Sequence, residues 1–116
     1  MKLKEVQQIL HASVAVAPSG WEDMEVVSAC GSDLMSDVLA FVKNQALLLT
    51  GLMNPQVIRT AEMMDMKAIV FVRGKSPSDE VNALAEKLGM TILTTEIPLY
   101  VACGKLYTNG LSGGGE

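Results

Sequence analysis

Three short apolar segments, each followed by helix signals, constrain the fold of this chain more than any other feature. The segments ALLLT (46–50), KAIVFV (67–72) and MTILT (90–94) are continuous runs, typical of strands covered on both faces. The segments that follow them are NPQVIRTAEMMD, SPSDEVNALAEKLG and TEIPLYVACGKLYTNG. Such strand–helix repeats indicate parallel strands joined by right-handed crossovers. Residues 46–107 are therefore predicted to form a βαβαβα unit in a three-layer α/β sandwich with a mainly parallel sheet.

The residues before this unit predict a short helix and two strands. MKLKEVQQIL has apolar side chains at helical spacing, SVAVA (13–17) is a β-branched run ended by PSG, and EVVSA (25–29) is the second strand. A longer helix is expected at 34–43. A chain of 116 residues forms one domain. We place the domain at residues 1–110 and a flexible tail, LSGGGE, at 111–116.

Capping signals predict where the later helices begin. Asn54 is expected to cap the first of them, with Pro55 at its first helical position. Ser76 is expected to cap the second, with Asp79 in the capping-box position. The last helix is expected to start near Thr95.

The segment CGSDLMSDV contains two carboxylates at a helical spacing. Asp33 and Asp37 are four residues apart and share one face of the predicted helix. A Mg²⁺ or Ca²⁺ site would need several more oxygen ligands, but the neighbouring residues are Leu, Met and Val. We therefore prefer Ser32 or Asp33 as the helix cap, with Asp37 placing negative charge near the positive helix end. No metal and no other cofactor is predicted.

Composition and charge argue against several classes of function. The net charge is −4 and the nine Lys and Arg residues form no cluster, so nucleic acid is not an expected partner. No apolar run reaches the length of a membrane span and the N-terminus is too polar for a signal peptide, so a cytoplasmic protein without membrane contact is expected. Cys30 and Cys103 have no CxxC spacing, and His11 is the single histidine. With no nucleophile–base pair recognisable, we predict no enzymatic activity.

The carboxyl ends of the three central strands are the candidate ligand site. Ligands of open parallel sheets bind beyond these ends, where free N–H groups at helix starts attract anions. Arg73 and Lys75 would add positive charge there. In the alternative interpretation the glycines only form tight turns, since neither belongs to a P-loop or a GxGxxG motif. The predicted ligand-binding residues are Thr50, Gly51, Asn54, Arg73, Gly74, Ser76 and Thr95.

Residues 26–107 resemble a DRTGG domain over nearly its whole length. The matching features are the start SDLMSD, the helix opening with Val57-Ile58, the turn GKSPSDEV and the ending MTILTTEIPLYVACGKLY. In this alignment the Asp-Arg of the family falls on Met53-Asn54. The Thr-Gly-Gly falls on Val72-Arg73-Gly74, so Gly74 is the one match to the motif.

This resemblance implies a regulatory role. DRTGG domains occur as accessory modules, beside CBS domains in regulated phosphohydrolases and within long phosphotransacetylases. They also resemble the non-catalytic N-terminal domain of HPr kinase/phosphorylase. We therefore predict a non-enzymatic regulatory or protein-interaction module. The alternative is a sensor that binds an adenine nucleotide or another phosphate-bearing compound at the strand ends.

The last predicted helix is more apolar than one contact with a sheet requires. Its single charge is Lys105, and apolar residues extend around most of its girth. An exposed surface of this kind predicts self-association, and DRTGG domains are known to pair. We therefore expect a homodimer, with another regulatory or signalling protein as the alternative partner. The contact is expected to involve this helix, the similarly apolar helix at 34–43 or the N-terminal hairpin, and the predicted contact residues are Leu99, Cys103 and Tyr107.

Overall fold

A computed structural model describes residues 1–41 and 46–113 of the chain. The strands are β1 (Ser13–Val16), β2 (Ser28–Gly31), β3 (Ala46–Thr50), β4 (Ala68–Phe71) and β5 (Thr91–Thr94). The α-helices are α1 (Leu3–Leu10), α2 (Met35–Phe41), α3 (Pro55–Met63), α4 (Asp79–Lys87) and α5 (Leu99–Thr108). A short 3-10 helix, Trp21–Asp23, lies between β1 and β2. None of the helices in these ranges has both the length and the apolar character needed to cross a bilayer.

The strands form one sheet in the order β1-β5-β4-β3-β2. Strands β2 to β5 are parallel, and β1 pairs with β5 in the antiparallel direction. Leu48 is paired with Ile69, and Ile69 with Ile92, so apolar side chains align across the sheet. The predicted mainly parallel sheet is confirmed. Because β1 runs the other way, its first residue, Ser13, lies beside Thr94 at the carboxyl end of β5.

Helices cover both faces of this sheet, which confirms the predicted three-layer sandwich. Helices α1 and α5 pack on one face, over Leu47 and Leu49 of β3. Helices α2, α3 and α4 pack on the other, over Leu48 of β3 and Phe71 of β4. Successive residues of a strand therefore enter two different cores, and this explains why the strand sequences are continuously apolar.

The cap of α4 differs from the prediction. Ser78 precedes the helix, and its Oγ accepts a hydrogen bond of 3.2 Å from the backbone N–H of Val81. The segment SPSDEV offers two serines, and burial of Val81 fixes the helix where the second one caps it. The prediction of Ser76 as cap was therefore wrong, and Ser76 lies in the loop before the helix.

Two further boundaries were predicted too early. Helix α5 begins at Leu99, because the N–H of Thr95 still donates to Phe71 at 3.0 Å and extends the sheet. Strand β2 begins at Ser28, because Val26 instead donates to the carbonyl of Met1 at 2.9 Å. The end of the helix predicted at 34–43 lies outside the described residues.

Residues at the start of the predicted tail pack against the domain. Leu111 is buried, and the backbone N–H of Ala29 donates to the carbonyl of Ser112 at 2.9 Å. Ser112 also forms a parallel bridge to Ser28, so this segment covers part of the outer edge of β2. The division into a domain and a tail stays a prediction, since residues 114–116 lie outside the described part.

Candidate functional site

The carboxylate of Asp33 lies among polar groups at the carboxyl ends of β3 and β4. Its Oδ1 accepts hydrogen bonds from the backbone N–H of Gly51 at 2.7 Å and from the hydroxyl of Thr50 at 3.1 Å. Its Oδ2 lies 3.5 Å from a guanidinium nitrogen of Arg73. Asp33 comes two residues after β2, so three neighbouring strands bring these groups to one edge of the sheet.

This environment favours the charged form of Asp33. The hydrogen bond from the Gly51 N–H is the main cause that holds the pKa of Asp33 below its ordinary value. Partial burial opposes this effect, while the Thr50 hydroxyl and the positive charges of Arg73 and Lys75 add to it. Asp33 is therefore held in its ionised form at this edge of the sheet.

Ser32 or Asp33 was predicted to cap α2, and the structure excludes Asp33 from this role. Its carboxylate bonds across the strand ends, and the local bond at the helix start comes from Ser32, whose Oγ accepts from the N–H of Leu34 at 3.0 Å. Asp37 lies in the first turn of α2, as expected. In the described part of the chain, no group of three or more His, Cys, Asp or Glu side chains could hold a metal ion.

Gly51 is enclosed by the charged side chains of this edge. Its N–H donates to Asp33, and its carbonyl accepts a hydrogen bond of 2.8 Å from Nζ of Lys75. A Cβ atom at this position would collide with the guanidinium group of Arg73. Gly51 thus has a packing role, because it lets the arginine lie across the end of β3 beside Asp33.

The chain reverses direction just after β4. Arg73 and Gly74 have positive φ angles of 62° and 71°. Their backbone N–H groups donate to Ile97 at 3.1 Å and to Thr95 at 2.9 Å. A Cβ atom on Gly74 would also collide with the carboxylate of Glu96, so both its conformation and its surroundings favour glycine. This turn fixes the backbone from which Arg73 and Lys75 extend.

A polar cavity of about 260 Å³ opens at the carboxyl ends of β4 and β5. The antiparallel direction of β1 brings the loop between α1 and β1 to this same edge. The cavity is lined by His11, Ser13, Gly74, Lys75, Ser76, Thr94, Thr95 and Glu96.

The predicted ligand residues occupy two adjoining places. Thr50, Gly51 and Arg73 surround Asp33, whereas Gly74, Ser76 and Thr95 line the cavity. Thr95 has a structural role as well, because its hydroxyl donates to the carbonyl of Leu10 at 2.7 Å. Asn54 precedes α3 but makes no side-chain cap bond, and its Oδ1 is buried without a hydrogen-bond partner in the described residues.

Sequence reasoning missed several residues of this edge, among them Asp33, Glu96, His11 and Ser13. Asp33 was assigned to a helix start, although its place directly after a strand is a signal for the strand-end edge. Glu96 follows β5 in the same way. His11 is an exposed turn residue at the end of α1, and the antiparallel direction of β1 brings this turn to the cavity.

The outer surface of α5 is the second candidate site. Its inner residues Ala102 and Leu106 are buried against the sheet. On the outer side, Tyr100 is 89% exposed, Tyr107 61% and Val101 44%. These residues border a shallow groove of about 610 Å³, which is lined by Tyr100, Val101, Cys103, Gly104, Lys105, Tyr107 and Thr108. We call this surface the α5 face.

The three predicted contact residues differ in their positions on α5. Tyr107 lies on the α5 face, while Leu99 and Cys103 are half-buried and pack against the core beneath the helix. Cys103 also borders the groove. Burial raises the pKa of its thiol, and it likewise raises that of Cys30, so neither is an activated nucleophile.

No protein-family model and no curated protein matches this sequence. The fold matches the crystal structure of the CBS and DRTGG domains of the regulatory region of Clostridium perfringens pyrophosphatase, complexed with its activator diadenosine tetraphosphate. The TM-score is 0.76 at 15% sequence identity, and the match covers 90% of this chain and 45% of that one. The chain thus spans less than half the length of the matched protein. The protein has a DRTGG-like fold, as the sequence resemblance predicted.

Proposed function

We propose that this protein is a non-catalytic regulatory module that acts as a homodimer through the α5 face. The observation that carries the proposal is the exposure of Tyr100 and Tyr107 on a helix whose inner side already covers the core. The pyrophosphatase structure with the same fold is a regulatory region, which supports the regulatory part of the proposal.

The chemistry of the α5 face suits a protein–protein contact. Exposed tyrosines combine a large apolar ring with a hydroxyl, and they are enriched at interfaces. Lys105 is the one charged residue of the helix, so few charges would need desolvation on pairing. A twofold axis beside α5 would place the same surface of each copy against the other.

Sedimentation equilibrium at micromolar concentration tests this proposal. We expect twice the monomer mass of 12.4 kDa, and Tyr100→Asp should give a folded monomer because it places charge in the contact. Met63→Asp is the matched control, since Met63 is an exposed apolar residue of α3 and should leave the dimer intact. A wild-type monomer would refute the dimer and favour a different partner protein at this face.

The polar cavity supports a second candidate function, the sensing of a phosphate-bearing compound such as an adenine nucleotide. The specific observation is the set of hydroxyl groups around Lys75 and His11 at the strand ends. The pyrophosphatase regulatory region is complexed with a nucleotide activator, diadenosine tetraphosphate. In a thermal-shift assay, millimolar ATP, AMP or inorganic phosphate should raise the melting temperature. Lys75→Ala should remove this rise, and the control variant Lys87→Ala should keep it. If none of the three ligands raises the melting temperature of the wild type, the sensor function is refuted.

A further inference from the structure

We propose that Asp33 occupies, as an internal carboxylate, a binding site for the phosphate group of a ligand, and that the ligand binds by displacing Asp33. This inference rests on the phosphate sensor proposed above and extends it to the residues next to the polar cavity, which share Lys75 with it. We call the donors that now bind Asp33 the Asp33 site: the N–H of Gly51, the hydroxyl of Thr50 and the guanidinium of Arg73.

The donors of the Asp33 site converge on one oxyanion. The two bonds to Oδ1, at 2.7 and 3.1 Å, come from a backbone N–H and a hydroxyl, and the cation approaches the second oxygen at 3.5 Å. A backbone N–H, a hydroxyl and a guanidinium together form the kind of donor set that binds phosphate oxygens. The two groups nearest Oδ1 are held rigidly, since Thr50 and Gly51 are both buried at the end of a central strand.

The carboxylate in this site is open to exchange with a solvent anion. The side chains of Asp33 and Arg73 are 47% and 48% exposed, so a small anion can approach from solvent. The contact of 3.5 Å between them is longer than a well-formed charge-assisted bond of about 2.8 Å. Arg73 also has further N–H donors available for the additional oxygens of a phosphate.

A second cation lies next to the site. Lys75 binds the carbonyl oxygen of Gly51 at 2.8 Å, and its charge acts on Asp33. Asp33 brings one negative charge against Arg73 and Lys75, whereas a phosphate at neutral pH brings between one and two. A phosphate therefore compensates this pair of cations more fully than the carboxylate does.

Displacement of Asp33 by a phosphate would release the segment before α2 from the end of β3, so ligand binding would be coupled to the start of this helix. Asp33 ties the segment between β2 and α2 to the end of β3, across 18 residues of sequence. Because the carboxylate is tethered, it competes with a free anion at a high effective concentration. Asp33 therefore acts as an autoinhibitory contact, and the wild type should bind phosphate weakly.

Removal of the carboxylate gives the decisive experiment. Binding of inorganic phosphate to full-length wild type, Asp33→Ala and Asp37→Ala is measured by calorimetry in chloride buffer of constant ionic strength. We expect Asp33→Ala to bind phosphate at least tenfold more tightly than wild type. Asp37→Ala, which removes the same charge four residues later in the first turn of α2, should resemble wild type. Adding Arg73→Ala to Asp33→Ala should abolish the gain.

A second variant keeps the proposal falsifiable if Asp33→Ala does not fold. Asp33→Asn retains the shape but removes the charge facing Arg73, and it should bind phosphate at least threefold more tightly than wild type. A folded Asp33 variant with no gain over Asp37→Ala would overturn the inference. A gain that persists without Arg73 would overturn it too.

A parallel titration with AMP identifies the source of the phosphate group. Tighter binding of AMP than of inorganic phosphate to Asp33→Ala would assign a nucleotide, and equal binding would assign a free phosphate. The sensor function and the inference can fail separately. Ligand shifts in the wild type that Lys75→Ala removes, without any effect of Asp33→Ala, would keep the sensor and refute the displacement of Asp33.

Discussion

Gly31, at the end of β2, leaves the space that the Sγ atom of Cys103 on α5 occupies. A Cβ atom added to Gly31 would collide with this sulfur and would lie 3.4 Å from a methyl carbon of Leu99. The missing side chain therefore allows α5 to pack closely on the edge of the sheet. The same contact holds in place the helix that carries the α5 face.

We expect Gly31→Ala to destabilise the protein by about 1–2 kcal/mol, as other overpacked positions do. Cys103→Ala in the same chain should remove most of this cost, since the sulfur is the atom in collision. Urea unfolding of both single variants and the double variant measures the coupling. Gly104→Ala is the control, because nothing lies within 4 Å of the added atom. If the effects of Gly31→Ala and Cys103→Ala on stability simply add, the proposed collision between the two residues is wrong.

The stability contributed by Asp33 should disappear in acid. Since its pKa is lower in the folded state, its contribution is fully present above the unfolded value of about 3.9 and is lost as the pH falls through the folded value. We expect Asp33→Asn to cost about 1 kcal/mol at pH 7. The gap to wild type should narrow below pH 4 in urea unfolding. If the stability difference between wild type and Asp33→Asn widens in acid, folding does not lower the pKa of Asp33.

Salt separates the two kinds of contact that Asp33 makes. The main cause of its lowered pKa is the hydrogen bond from Gly51, while the ion pair with Arg73 is half-exposed and readily screened. We therefore expect most of the stability difference between wild type and Asp33→Asn to remain in about 1 M salt, where the Debye length is about 3 Å. If the whole stability difference disappears in salt, it comes from the ion pair with Arg73 instead of the hydrogen bond from Gly51.

The two serines of SPSDEV should differ in their effect on stability. Ser78→Ala removes the bond to Val81 and should cost about 1 kcal/mol, as at other N-caps. Ser76→Ala, two residues earlier in the loop, should change the free energy of unfolding by less than about 0.5 kcal/mol. Thermal unfolding of the pair measures the difference. Equal effects would contradict the observed start of α4.

Both thiols should react slowly in the folded protein. Burial raises the pKa of Cys30, with a smaller contribution from the charge of Asp37, and burial is also the main cause at Cys103. The thiolate fraction at pH 7 is then lower than in an unfolded chain, so reaction with a disulfide reagent should be slower than in urea. In the variant Cys103→Ser, the reaction that is still measured is that of Cys30. A thiol that reacts equally fast in both states would contradict this.

The sequence predicted those parts of the fold that depend on local patterns. Strands such as 46–50 are apolar at every residue because both faces are covered, and this needs no knowledge of their partners. Helix starts were less predictable, since SPSDEV contains two capping serines and only the burial of Val81 selects Ser78. The antiparallel pairing of β1 with β5 joins distant parts of the chain, and nothing near 13–17 reveals its direction.

The candidate site shows the same limit. Gly51 and Arg73 were predicted because strand ends can be located from the apolar runs. The role of Asp33 was missed because its bonds reach residues 18 and 40 positions away, whereas the spacing of Asp33 and Asp37 suggested a local helix cap. Polar contacts between residues so far apart in sequence follow from the order of the strands, which the sequence pattern does not specify.

The hydrogen bond from Thr95 to Leu10 connects residues 85 positions apart, and it has a consequence for the order of folding. Contacts between distant residues form late, because a long loop must close before they contribute. During synthesis, His11 emerges from the ribosome long before Thr95, so the cavity between them lacks one wall until the fifth strand is available. A chain that ends before β5 therefore lacks this wall of the cavity, and occupancy of the cavity would report that β5 has paired with β1.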